Sequence, residues 1–309
     1  MKILIVGLGS IGKKHLIALQ SILPDAEIFA LRSKIKVEKL NGVINLFKLE
    51  EIASVKFDFA IISNPTSEHK KAISQLIPFG FPLFIEKPLY SSLDIEDVIT
   101  LINKKEIGTY VACNLRFLDC IKYIKNKLLQ MPNKKLNEVN VYCGSYLPDW
   151  RPSIDFRKTY SADENLGGGV HLDLIHELDY LYWLFGIPKL VTCKFKNQSS
   201  LNISSFDYAN YILDYDGFCA GVVLNYYRRD PKRTLELVFE DETWNIDLLK
   251  NQITCNNKII FSSEQRISDT YHAQMEYYIQ CLIKQTGTFD TISDAYSVLK
   301  ICLANDIKG

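Results

Sequence analysis

Close to the start of the chain, Gly7, Gly9 and Gly12 stand at GxGxxG spacing directly behind the apolar run Ile3 to Val6. Such a turn between a strand and a helix holds a dinucleotide. The first glycine allows the tight bend, the second lets backbone approach a pyrophosphate, and the third lets the helix pack on the sheet. Ser10, Ile11 and Gly12 open that helix, whose N-terminus faces the phosphates. The stretch Ile11 to Ile22 is amphipathic, the context that separates a binding turn from an accidental cluster of glycines. About twenty residues beyond the last glycine, a site for NAD wants a carboxylate to accept from the ribose hydroxyls. The chain has Arg32-Ser33-Lys34 there. A guanidinium, a hydroxyl and an ammonium hold a 2′-phosphate and offer no acceptor to a free hydroxyl, so NADP is the expected cofactor, with NAD as the alternative.

A second group of residues could carry proton chemistry. Lys87 follows the apolar run Leu83 to Ile85, at the C-terminal end of an expected parallel strand, where open sheets bind their ligands. An ammonium there donates to a carbonyl or alkoxide oxygen while hydride moves. His176 is the natural proton carrier for interconversion of hydroxyl and carbonyl, and Asp173, three residues earlier, falls on the same face of a continuous helix and would orient substrate or relay the proton. His171 projects nearby. A metal held by His171, Asp173 and His176 is disfavoured, because no further histidine or cysteine cluster joins them. Trp150, Arg151 and Tyr160 lie on a long loop: the arginine offers a planar fork for carboxylate or phosphate, and the indole a face for a sugar. The competing readings are an ordinary surface lysine, a satisfied helix histidine and a loop packed on a sheet.

The elements that must position these residues change grammar near residue 118. Before it, apolar runs at 28–31, 57–62, 83–85 and 109–113 alternate with helical patterns near 11–22, 67–77 and 91–104, which means a parallel sheet with helices on both faces. After a helix near 117–130, strand follows strand at 138–146, 190–197, 208–214, 219–227, 233–240 and 243–248. Turn residues Asp216-Gly217 and Asn256-Asn257 sit between apolar alternations. The expected fold is therefore α/β: an N-terminal Rossmann domain over 1–118 and a C-terminal α+β domain over 119–309 with an open, mainly antiparallel sheet. Helices near 170–185, 270–285 and 291–304 would cover one face of that sheet, leaving the other for a second subunit.

Composition narrows the partners. Lys+Arg and Asp+Glu balance at 36 each in 309 residues, and no long basic run asks for nucleic acid or an anionic membrane. The expected partner is a small molecule. Eight cysteines without CxxC spacing, most inside apolar runs, read as free thiols in a reducing cytoplasm. No apolar run approaches membrane-spanning length, and the N-terminal run is interrupted too early for a signal peptide.

Four segments together resemble the Gfo/Idh/MocA oxidoreductases, the family named for glucose-fructose oxidoreductase and inositol dehydrogenase: the glycine turn, Asn64-Pro65-Thr66 running to His69, the tripeptide Glu86-Lys87-Pro88, and Gly167-Gly168-Gly169 leading to His176 and Asp179. The resemblance implies a nicotinamide cofactor, held also by Asn64, Pro65, His69, Glu86 and Lys87, and a sugar or polyol substrate. It implies a catalytic role for Lys87. It also places Asn114 and Arg116, in Asn114-Leu115-Arg116-Phe117, toward the substrate, although Asn114 is equally suited to a structural cap. The family more often places its aspartate four residues before the histidine, where this chain has Leu172. The leading expectation is an NAD(P)-dependent dehydrogenase or reductase acting on CH–OH groups of a sugar, polyol or sugar acid, working as a homodimer or homotetramer. The alternatives are a cofactor-binding ligand sensor without turnover, and an enzyme using transient redox for epimerisation, dehydration or glycoside cleavage.

Overall fold

The computed structural model describes residues 1–33 and 40–304, and the chain packs as two units. The first contains Met1–Ala112 and Tyr271–Tyr296. Its sheet has the order β3-β2-β1-β4-β5-β6, all parallel, from β1 (Lys2–Val6), β2 (Glu27–Leu31), β3 (Val43–Leu46), β4 (Phe59–Ile62), β5 (Leu83–Ile85) and β6 (Thr109–Val111). The runs in β4 and β5 are buried at every position, as parallel strands covered on both faces must be. Helices α1 (Ser10–Ile22), α2 (His69–Leu76) and α3 (Glu96–Lys104) follow β1, β4 and β5. β3 is absent from the sequence expectation because Val43-Ile44-Asn45-Leu46 is short and only Leu46 is buried. The connection before it includes residues outside those described, Lys34 among them.

Helix α7 (Thr270–Lys284) departs from expectation. From Tyr271 onward it lies in the first unit instead of covering the second sheet. The cause is aromatic: Phe59, Phe84 and Tyr110 form a patch on β4, β5 and β6. The fully buried ring of Tyr278 meets all three at centroid distances of 5.3, 5.3 and 5.7 Å. The Val111 N–H donates to the Asp290 carbonyl at 2.9 Å, extending the attachment beyond the helix.

The second unit comprises Cys113–Thr270 and, among the described residues, 297–304. Its eight-stranded sheet has the order β14-β13-β12-β11-β7-β10-β9-β8, built from β7 (Leu136–Tyr146), β8 (Leu190–Lys196), β9 (Tyr208–Tyr215), β10 (Phe218–Asn225), β11 (Tyr227–Phe239), β12 (Thr243–Asp247), β13 (Gln252–Cys255) and β14 (Lys258–Ser262). Every neighbouring pair is antiparallel except β7 with β10. Side chains alternate: Val139, Val141, Ala220, Val222, Leu235 and Leu237 are buried, whereas their neighbours Asn140, Tyr142, Gly221, Val223 and Glu236 are more exposed. One face is core and the other carries a shallow concavity of about 540 Å³. Gly217, Asn256 and Asn257 have φ of 96°, 48° and 62°, as the two expected hairpins require. The helix α4 (Asp119–Gln130) packs Tyr123 on Phe261 and Trp244. The helix expected over 170–185 is broken into α5 (Val170–Asp173) and α6 (His176–Phe185), with α8 (Ile292–Cys302) last. No helix of the described residues is long and apolar enough to cross a membrane.

Candidate active site

The glycine turn is closed too tightly for side chains at two of its three glycines. Gly7 has φ +89°, and a Cβ there would lie 2.5 Å from the Asn64 nitrogen; one on Gly12 would lie 2.3 Å from the Gly7 carbonyl oxygen. The protein itself demands those two glycines. Ser63 Oγ ties the turn to β4 by donating to the Gly7 carbonyl at 2.6 Å. Gly9 is different, because a Cβ there would meet nothing within 4 Å. With Gly9 and Ser10 exposed at the mouth of α1, bare backbone faces outward where an anion would sit. Arg32, half-buried beyond β2, donates its N–H to Leu46, and its Nη1 has no protein acceptor among the described residues. Ser33 beside it is exposed, and Lys34 lies outside the described residues.

Lys87 is reached from the same helix. Glu86, buried at the end of β5, receives the Nε2 of fully buried His15 at 2.5 Å on one oxygen and the Lys87 N–H at 3.1 Å on the other. His15 belongs to α1 and lies edge-on to Phe84. The helix behind the glycine turn and the backbone of Lys87 therefore share one carboxylate. The Lys87–Pro88 peptide is cis. His69 ties in a further segment: Nδ1 lies 3.1 and 3.2 Å from the carbonyl oxygens of Pro88 and Leu89, and Nε2 3.0 Å from that of Asn64. Burial outweighs these carbonyls and holds the imidazole below its ordinary range. His69 thus braces the Asn64 and Lys87 segments, while Pro65 is exposed between them.

In the second unit the break at Leu174 and Ile175 places Asp173 at the end of α5 and His176 at the start of α6, so they do not share one continuous helix face as expected. Both are buried. The Tyr226 hydroxyl donates to Asp173 Oδ2 at 2.5 Å. Glu177, next to His176, is fully buried and paired with Arg233 of β11, which anchors the first turn of α6. Arg116, expected to face substrate, is 1% exposed and forks onto Asp179 at 2.9 and 2.5 Å. That forked pair makes Arg116 a clamp on α6. Asn114 is likewise inside, its amide donating to Thr270 Oγ1 at 2.7 Å. The His171 ring packs against Phe195 and Phe206, where burial drives its pKa down to about 4 and makes it a neutral core group. Trp150 is partly exposed, its indole N–H donating to Ser145 and its ring edge-on to Tyr226; Arg151 is exposed above the Tyr160 ring. His15 and Tyr226 are the partners that sequence reasoning missed. A histidine among the buried apolar residues of α1 is the one signal that was available, since such a group needs a polar partner.

The sequence profile of an oxidoreductase family with an NAD-binding Rossmann fold, Gfo/Idh/MocA, matches residues 1–112, and that of the Gfo/Idh/MocA C-terminal domain matches residues 132–244. The chain belongs to the Gfo/Idh/MocA oxidoreductase family. The rhizopine catabolism protein MocA of Rhizobium meliloti, also of this family by name, is 25% identical over 190 residues, covering 59% of this chain and 56% of the relative. The matched region thus spans about half the length of the curated relatives. Among solved structures, scyllo-inositol dehydrogenase from Lactobacillus casei with bound NAD(H) and scyllo-inositol superposes with a TM-score of 0.81 at 20% identity, covering 98% of this chain and 95% of that one. UDP-N-acetylglucosamine 3-dehydrogenase from Acidithiobacillus ferrooxidans gives 0.78 at 18%, covering 98% and 96%. At these identities the two structures speak for the Gfo/Idh/MocA fold.

Proposed function

We propose that the chain is a dehydrogenase or reductase that uses NADP, or NAD in its place, on a CH–OH carbon of a sugar, polyol or sugar acid. The observation that carries this reading is the Glu86 carboxylate, shared between His15 of the helix behind the glycine turn and the backbone of Lys87. A lysine whose backbone is tied in this way to the helix behind the glycine turn supports a role for Lys87 beside the cofactor. The nicotinamide, when bound, supplies the hydride acceptor or donor. Lys87 then donates to the substrate oxygen and stabilises its developing charge, and His176 carries the proton. Gly7, Gly9, Ser10, Ile11 and Gly12 hold the pyrophosphate, and Arg32 the 2′-phosphate, a reading supported by an Nη1 that has no acceptor among the described residues. Cofactor binding is assigned to 1–118, and substrate binding with self-association to 119–309. The more exposed face of the second sheet, with Ile212 54% exposed, supports a homodimer or homotetramer.

The test is incubation with NADP⁺ or NAD⁺ and a panel of myo-inositol, scyllo-inositol, L-tartrate and UDP-N-acetylglucosamine, read by reduced-nicotinamide absorbance and product mass. An oxidised product with equimolar reduced cofactor is expected. Tight cofactor binding with no product from any compound would identify a ligand sensor. Product formed without net absorbance change would identify transient redox.

A further inference from the structure

The glycine triplet leads into α5, whose last residue, Asp173, lies between the phenols of Tyr160 and Tyr226. A Cβ on Gly168 would lie 2.0 Å from the Tyr160 carbonyl oxygen, so only glycine lets the turn carrying Tyr160 lie against the start of α5. The contact is locked by backbone hydrogen bonds: Asp163 N–H to the Tyr160 carbonyl at 3.1 Å, and Gly168 N–H to the Asp163 carbonyl at 3.0 Å. The Asp173 carboxylate accepts from the Tyr226 hydroxyl at 2.5 Å, and its charge acts on the Tyr160 phenol, which it holds above the ordinary range. Tyr226 is fully buried, whereas Tyr160 is half-buried below Arg151, 5.6 Å from guanidinium carbon to ring centre. Ser161 lies beside both phenols, and its carbonyl is fixed by Ser205 Oγ at 2.6 Å.

We propose that Tyr160, Asp173 and Tyr226 form one hydrogen-bonded relay, in which Tyr226 is a positioning residue for the carboxylate and Tyr160 presents its oxygen to a substrate hydroxyl. A phenol that has given its hydrogen to a carboxylate keeps its lone pairs, so the outer end of the relay is an acceptor. It selects an alcohol O–H over a carbonyl and thus favours a polyhydroxylated substrate, with the Trp150 ring beside the cluster as an apolar wall. Burial and the neighbouring carboxylate push both phenols well above their ordinary range, so neither serves as a base. The kinetic arm of the test rests on the dehydrogenase reading, and the thermal arm does not.

The thermal arm compares unfolding midpoints of the full chain with Tyr226→Phe, Asp173→Asn and both together, and repeats the cycle with Tyr160→Phe. Partners in a relay couple, so each double variant should lose clearly less than the sum of its single losses. Additive losses in both cycles overturn the relay. The kinetic arm uses scyllo-inositol, or whichever panel compound turns over. Tyr160→Phe should raise its KM roughly threefold to tenfold with cofactor Kd unchanged, and Tyr226→Phe should lower kcat roughly tenfold at nearly constant KM. Unchanged KM in the first and unchanged kcat in the second overturn the substrate role. Coupling without turnover on the whole panel counts against the dehydrogenase reading alone, and the thermal cycles then decide the relay.

Discussion

Single residues divide by whether their role depends on local order or on distant partners. The places of the glycine turn and Lys87 were legible because they follow from local order: a bend after a strand, a lysine just beyond another strand. Replacing Lys87 by Met keeps the aliphatic bulk and removes the donor, so turnover should fall by about 10² to 10⁴ with cofactor affinity little changed. Steady-state rates paired with calorimetric NADPH binding check this, and full turnover in the variant would refute the assignment. Arg32 makes a second test, because its guanidinium is half-buried with an Nη1 that no described protein group accepts. Arg32→Asp should weaken NADPH by on the order of 2 kcal/mol while NADH binding holds or improves. Added salt should narrow the preference of the unaltered protein for NADPH, since part of the attraction is screened. Equal calorimetric affinities for both cofactors in the unaltered protein would make NAD the cofactor. Arg116, Asn114 and His171 show what local order conceals. Their types suit a polar cleft, yet the fold joins Arg116 to Asp179, Asn114 to Thr270 and His171 to two phenylalanines, partners between 24 and 156 positions distant that no spacing rule announces.

Elements were legible where hydrophobic period and turn chemistry agreed. The strand at 83–85 and the hairpin at Asn256-Asn257 stand where the pattern puts them, although β13 and β14 on either side of that hairpin are too short and mixed to announce themselves. The break between α5 and α6 was hidden, because Leu174 and Ile175 carry no helix-breaking chemistry and an unbroken apolar period runs through them. Amphipathicity also tells that a helix covers a sheet without telling which one, and α7 shows the consequence. Its Tyr278 is 1% exposed among Phe59, Phe84 and Tyr110, so the first unit is completed by a segment more than 150 residues downstream of β6. Tyr278→Ala should cost about 3 kcal/mol or more, as deletion of a buried aromatic does. Denaturant unfolding of the full chain checks the magnitude. A loss below about 1 kcal/mol would mean that the aromatic patch is closed by other residues.

At the scale of the whole molecule, His171 couples the packing of the second unit to pH. Its ring lies between Phe195 and Phe206 at centroid distances of 5.0 and 5.5 Å, and burial lowers its pKa to about 4. In the unfolded chain an imidazole titrates near 6.5. Between those values the unfolded chain holds a proton that the folded chain refuses, so stability is complete above pH 6.5 and falls as pH drops toward 4. A gap of roughly two and a half units corresponds to on the order of 3 kcal/mol, a large share of the stability of an ordinary domain. The carboxylates that protonate in the same window contribute a slope of their own, so the decisive quantity is the difference between two proteins. His171→Gln removes the titrating group, and although an amide in that apolar site lowers stability at every pH, it should flatten the decline between pH 6.5 and 4.5. Denaturant midpoints measured across that interval for both proteins give the comparison. Parallel profiles would show that the His171 ring opens to water before it protonates, and that acid sensitivity resides elsewhere in the fold.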